Sequence, residues 1–244
     1  MKQYFHAFVM CQSMFCSIPS PWNLWDEEAR DKMLLFLPAV GLEIGVLWYL
    51  LAQITQWLRF PALFSAFLLC TFPYAVTGFI HLDGFMDVTD AVKSCRSLER
   101  RREILKDSHV GSFAVIGLCL LLLAQFSLFA GGNGNSLVLI FLPAVSRCCS
   151  ALAVTSLRPM STSQYAGQKR SGTNTAALWL MLVALTLLGL LLCGKDGFAL
   201  LGCLAGYGLA LRHGFKSLDG MNGDIAGYAL TIAEVCAVAV YTLF

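Results

Sequence analysis

The chain has 244 residues, 57% of them hydrophobic and only 13% charged, with a formal net charge of +2. Soluble domains run near ~25% charged, and the mean hydropathy here is +0.69. The composition therefore excludes an ordinary soluble domain and implies an integral membrane protein. So small a net charge makes no case for nucleic acid as a partner; what matters is where the charges sit. Ten cysteines are scattered, Cys148 and Cys149 are adjacent, and there is no Cys-x-x-Cys. They read as small buried hydrophobes, not as a zinc site or a disulfide framework.

Residues 3–17 carry Phe5, Phe8, Val9 and Phe15 at near-helical spacing, interrupted by Gln3, His6, Gln12 and Ser13. With no clear small-x-small cleavage site, the segment reads as an amphipathic helix on the membrane or against the bundle, not as a signal peptide. Ser17-Ile18-Pro19-Ser20-Pro21 breaks it. A polar stretch at 22–33 precedes an apolar run at 34–58, long enough to span a hydrocarbon core. Glu43 lies inside that run, and a carboxylate there needs a partner or a function. Phe60-Pro61 turns the chain into a second span at 62–80, which delivers it to the polar segment 81–111. Further spans follow at 112–130, 137–157, 176–193, 197–212 and 226–244. The sixth carries Gly202, Gly206 and Gly208, which suit close helix packing. The expected fold is all-α: a polytopic membrane bundle of about seven transmembrane helices plus the N-terminal amphipathic helix, one membrane domain over 1–244. The lipid bilayer is its first partner. Oligomeric state is not legible, and a homo-oligomer stays open.

Of the 17 Lys and Arg residues, all but Arg59, Arg147 and Lys195 fall near the N-terminus or in the 81–111, 158–175 and 212–225 loops. Positive residues favour the cytoplasm. The expectation is a multi-pass protein of the cell membrane with its polar loops, and any active site among them, facing the cytoplasm.

Within the 81–111 segment, Asp83, Asp87 and Asp90 stand at offsets of four and seven. On a helix they fall within roughly a 60° arc of one face. Like charges so close repel and raise one another's pKa, and a cation among them relieves that. Mg²⁺ takes carboxylates together with substrate phosphates, so the pattern points to a metal–phosphate site. An acidic, solvated helix start is the plainer alternative. The segment continues through Arg100-Arg101-Arg102 to Lys106-Asp107-Ser108-His109. These cations suit phosphate groups, although Arg100 and Arg101 are better read as marking the inner face. Arg147, inside the fourth span, serves either a phosphate or an ion pair with a residue such as Glu43. Asn222-Gly223-Asp224 opens the last span, with Thr231 and Glu234 on the stripe of Asp224. Asp224 serves there as a further metal ligand, as a helix N-cap, or as both. His81 and His109 flank the segment as interfacial residues, with an acid/base or phosphate role as the sharper alternative.

The pattern His81-x-Asp83-Gly84-x-x-Asp87-x-x-Asp90, followed by Arg-x-Glu-Ile-Leu-Lys-Asp-Ser-x-x-Gly at 101–111, closely resembles the cobalamin synthase family of adenosylcobinamide-GDP ribazoletransferases. Phe15-Cys16-Ser17-Ile18-Pro19 with Pro21, the first-span run from Phe36 to Gly45, Ser146-Arg147, and Gly223-Asp224-x-x-Gly227 resemble its other signatures, so the resemblance covers essentially the whole chain. Ala91 stands where members often carry Gly, and the last helix lacks a further polar residue often found near Thr231.

The resemblance implies an enzyme that joins adenosylcobinamide-GDP to α-ribazole, or its 5′-phosphate, and releases GMP. It implies Mg²⁺ held by Asp83, Asp87, Asp90 and Asp224. Lys106 and Arg147 become phosphate clamps and Asp90 the base. His81, Arg102, Ser108 and His109 become substrate contacts, and Gly84 lets backbone approach the pyrophosphate. Two rivals are weighed against this. A CDP-alcohol phosphotransferase motif fits poorly, because Gly84 follows Asp83 directly and the Ala-Arg pair expected after the glycine is absent. A transporter fits poorly because the polar residues cluster at one face and not at the midplane.

Overall fold

The computed structural model describes residues 2–20, 22, 24–132, 136–161, 163 and 172–243. Half of the polar 158–175 loop, with Lys169 and Arg170, lies outside the described residues. Eleven α-helices follow in order: α1 (Lys2–Phe15), α2 (Arg30–Met33), α3 (Leu37–Trp57), α4 (Ala62–Val76), α5 (Ile80–Lys93), α6 (Leu98–Ile104), α7 (Ser112–Gly131), α8 (Val138–Ser156), α9 (Gly172–Cys193), α10 (Phe198–Leu218) and α11 (Gly223–Leu243). No strand occurs among the described residues; one isolated bridge joins Pro159 and Met221.

Five continuous stretches are long and apolar enough to cross a membrane, or six if α4 and α5 together form one bent span. The 47-residue stretch Gly172–Leu218 holds two helices, α9 and α10. Between them Gly194 adopts φ +57°, a left-handed conformation that a helix cannot continue through. The chain reverses there. Trp179 and Leu182 share a groove with Tyr207 and Leu211, while Gly197 meets the backbone of Gly189 and Leu190. Counting α9 and α10 separately gives six long spans, close to the seven expected; α4, at 15 residues, is short of a full span.

Helix α8 is the centre of the bundle, with all but one residue from Val138 to Val154 buried. Helix α3 packs on it backbone to backbone. A Cβ added at Gly41 would sit 2.4 Å from the Pro143 carbonyl oxygen, and one at Gly45 2.1 Å from that of Ile140. This is a Gly-xxx-Gly contact, where small residues let membrane helices approach closely. Gly202 and Gly206 do the same for α10 against Val240 and Cys236 of α11. Gly208, grouped with them on sequence grounds, faces open space.

The second span differs from expectation. It ends at Val76, where Gly78 and Phe79 take φ of 60° and 63° and the next helix leaves at 89°. The Phe79 N–H donates to the Tyr74 carbonyl at 2.9 Å, and the Thr77 hydroxyl donates to the Pro73 carbonyl at 2.9 Å, closing the end of α4. The polar segment expected as a loop after residue 80 is therefore largely helical, as α5 and α6. We read the amphipathic α5 as lying across the mouth of the bundle, outside the spanning segments. Helix α1 packs on the bundle and buries Ala7, Met10, Cys11 and Phe15. Its Gln12 side chain donates to Glu43 at 3.1 Å.

Candidate active site

Helix α5 sets the three aspartates. Its buried face carries Leu82, Phe85, Val88 and Ala91, which leaves Asp83 exposed and Asp87 and Asp90 half-buried. Helix α11 brings the fourth. Gly84 and Gly227 lie at the crossing: a Cβ at Gly84 would meet the Asp224 carbonyl oxygen at 2.9 Å, and one at Gly227 the His81 carbonyl oxygen at 3.1 Å. Phe85 stacks on Tyr228 with ring centroids 5.8 Å apart, and the Thr231 hydroxyl donates to the His81 carbonyl at 3.2 Å. The space beside Gly84 is thus taken up by α11, so its missing side chain serves helix contact.

Asp83, Asp87, Asp90 and Asp224 make no salt bridge among the described residues. Burial raises the Asp87 carboxyl to about 7, and the nearby charges of Asp83, Asp224 and Asp90 add to the rise. The distant sequence positions do come together, within electrostatic reach. Among the described residues no three His, Cys, Asp or Glu side chains converge as a ready metal cage. The donor chemistry nonetheless suits Mg²⁺, which completes its shell with waters and substrate phosphates and needs few carboxylates.

The cap of α11 is Asn222, where Asp224 was the candidate. The Asn222 side-chain oxygen Oδ1 accepts from the Ile225 N–H at 3.0 Å, while its side-chain Nδ2 donates to an Asp224 carboxylate oxygen at 2.6 Å. Asp224 also lines the hollow beside Asp83. Asp90 packs against the chain just before α7, so that a Cβ at Gly111 would fall 2.1 Å from both its carboxylate oxygens. That contact ties the 101–111 motif to α5.

The remaining candidates lie as follows. Lys106, Ser108 and His109 are exposed near the start of α7, and Lys106 makes no ion pair among the described residues. The His109 ring stands 2.7 Å from Asp107 and holds that carboxyl below its usual range. Arg102 is turned to the end of α10, donating to the Leu218 and Asp219 carbonyls at 3.0 and 2.8 Å. It closes that helix end, away from the aspartates. His81 is 7% exposed, stacks on Phe15 at 6.2 Å, and leaves its Nε2 without a partner among the described residues. Arg147 is fully buried and pairs with Glu234 at 2.8 Å, not with Glu43. The Ser146 hydroxyl donates to the same Glu234 oxygen at 2.7 Å. Glu234, on the stripe of Asp224, has this guanidinium as its partner.

Two hollows meet at Asp83. An enclosed one of about 100 Å³ is lined by Phe15, His81, Asp83, Ser150, Asp224 and Gly227. An open cleft of about 510 Å³ runs between the end of α1 and the α4–α5 turn. Sequence reading gave Phe15, Ser150 and Asn222 no role here. Phe15 lay in a family signature and Asn222 stood immediately before a helix start; Ser150 left no signal. A hollow of about 350 Å³ at the other end, near Arg59 and Gly132, holds no carboxylate.

A polytopic helical membrane protein with an un-neutralised carboxylate cluster beside a cleft at one end fits the class of membrane enzymes that act on phosphate esters. The family model for cobalamin-5-phosphate synthase matches residues 7–242, and the chain belongs to that family. Among curated relatives, adenosylcobinamide-GDP ribazoletransferase of Clostridium perfringens strain 13 is 39% identical over 241 residues, covering 96% of each chain. The protein of that name from Clostridium botulinum strain Alaska E43 is 34% identical over the full length of both. That from Desulfitobacterium hafniense strain Y51 is 34% identical over 89% of this chain and 88% of its own. No solved structure matches the chain.

Proposed function

We propose that the protein is a transferase that joins adenosylcobinamide-GDP to α-ribazole, or to its 5′-phosphate, and releases GMP. Family membership and the relatives' shared name support the reaction. The observation that supports the site is the group of four carboxylates on α5 and α11, close enough to raise the Asp87 carboxyl and in no salt bridge among the described residues.

In this reaction a ribose hydroxyl attacks the corrin-side phosphorus of the pyrophosphate. A new O–P bond forms, the bridging O–P bond breaks, and GMP leaves with the electron pair. Asp83, Asp87 and Asp224 would hold Mg²⁺. Bound there, the ion neutralises charge on the bridging and leaving oxygens. Asp90, next to Gly111, is the group assigned to take the hydroxyl proton. Lys106, exposed near the start of α7, supplies positive charge to the leaving phosphate. Met14, Phe79 and Ile80 in the open cleft would give the corrin apolar contacts, while α5 presents carboxylates to the charged tail. Arg147 acts here through Glu234, fixing the depth of α11 and so of Asp224. The basic loops support a cytoplasmic orientation for this end, by the positive-inside rule.

The test is GMP release by membranes carrying the protein, which should require both Mg²⁺ and α-ribazole. Asp87→Asn should abolish release while the protein stays folded. Near-normal turnover in that variant would end the assignment.

A further inference from the structure

A second polar hollow lies away from the aspartates, on the outer surface of α10 where it meets α6. It is open, about 440 Å³, and lined by Arg101, Leu209, Arg212, His213, Lys216 and Ser217. Arg212, His213 and Lys216 are exposed. None of the three makes a salt bridge among the described residues, and the nearby acids are engaged elsewhere. Glu103 pairs with Arg100 at 2.7 Å, and Asp219 is held by Arg102 and Arg158. Arg101 reaches in from α6. It donates to the Ser217 carbonyl at 3.3 Å and keeps its Nε buried without a partner among the described residues. Basic groups gathered around one hollow with no acid among them make an anion site.

The surface below the hollow decides which anion. Leu201, Ala205 and Leu209 form one outward stripe of α10 that leads up to Arg212 and Lys216. Leu209 is 71% exposed and Leu201 43% exposed, as lipid-facing residues are. A ligand filling both parts has a phosphate at the membrane boundary and a hydrocarbon chain beneath it. We propose that this hollow binds the phosphodiester headgroup of an anionic phospholipid, with one acyl chain along the Leu201–Leu209 stripe. Basic pockets beside spanning helices at a membrane boundary take such headgroups.

The test uses the whole purified protein in nanodiscs of phosphatidylcholine alone and of phosphatidylcholine with phosphatidylglycerol, read by native mass spectrometry and thermal unfolding. Phosphatidylglycerol should be retained preferentially and raise Tm. The double variant Arg212→Gln/Lys216→Gln should lose about thirtyfold in that preference, two cations' worth. A charge-matched control, Lys2→Gln/Arg96→Gln, should keep it, which separates a local site from overall charge. Circular dichroism confirms that each variant is folded. Equal retention of the two lipids, or full preference in the double variant, overturns the proposal. So does equal stabilisation by inorganic phosphate in phosphatidylcholine discs, which would make the ligand a soluble phosphate.

Discussion

Helix α11 carries two groups of charge that the protein treats in opposite ways. In its middle, Glu234 is buried and fully answered: Arg147 and Ser146 both bond its Oε1, and the two charged side chains are 2% and 1% exposed. At its start, Asp224 joins three aspartates of α5, half-open to solvent and in no salt bridge among the described residues. A buried charge in a membrane bundle persists only when paired. A group of like charges persists only where something else supplies the balance. The first arrangement pairs its charges across two helices and holds them together, with only the Arg147 Nε left without a partner among the described residues. The second has no salt bridge among the described residues, and its carboxylates are the place proposed for a ligand.

Breaking each group separately sharpens the contrast. Asp87→Asn should lower GMP release at least a thousandfold, which corresponds to about 4 kcal/mol of transition-state stabilisation, while Tm holds or rises because a carboxyl resisting ionisation has been removed. Glu234→Ala should do the reverse. It strands the Arg147 guanidinium in the core and should cost about 3–5 kcal/mol of stability, seen as a large fall in Tm. The apolar pair Arg147→Met/Glu234→Leu should recover most of that stability. If it also recovers turnover, Arg147 is structural and not a phosphate contact. Millimolar Mg²⁺ should stabilise the wild-type protein by about 1.4–2.7 kcal/mol at ten to a hundred times its Kd, and Asp87→Asn should show no such rise. Gly84→Ala, whose Cβ would press on the Asp224 backbone, should shift α5 by a few tenths of an ångström and cost activity about tenfold, with a smaller effect on Tm.

The sequence made some of this legible and hid the rest, for physical reasons. The shared face of Asp83, Asp87 and Asp90 follows from helical periodicity alone, and α5 is a helix through all three. The gathering of the basic loops at one end was also readable, and Arg102 and Arg158 meet there on Asp219. Periodicity carries no information about which helices touch, so the partner of Arg147 stayed open between acids far apart in the chain. The Gly41-xxx-Gly45 contact was present in the letters and passed over, because an apolar run long enough to span draws attention to its length. The break at Gly78 was hidden in the same way: hydropathy continues smoothly through a turn that only the left-handed conformations of two residues reveal.

The docking of α1 bears on the order of assembly. The first helix leaves the ribosome before any surface that buries it exists. Gln12 awaits Glu43, the Ser17 N–H awaits the Val76 carbonyl, and Phe15 awaits the His81 ring. Domains and segments made early must wait for later ones during synthesis. Closure of this helix therefore reports that the span, the sharp turn and the start of α5 are all in place, and a nascent chain stalled before the turn should leave its N-terminal segment open to protease.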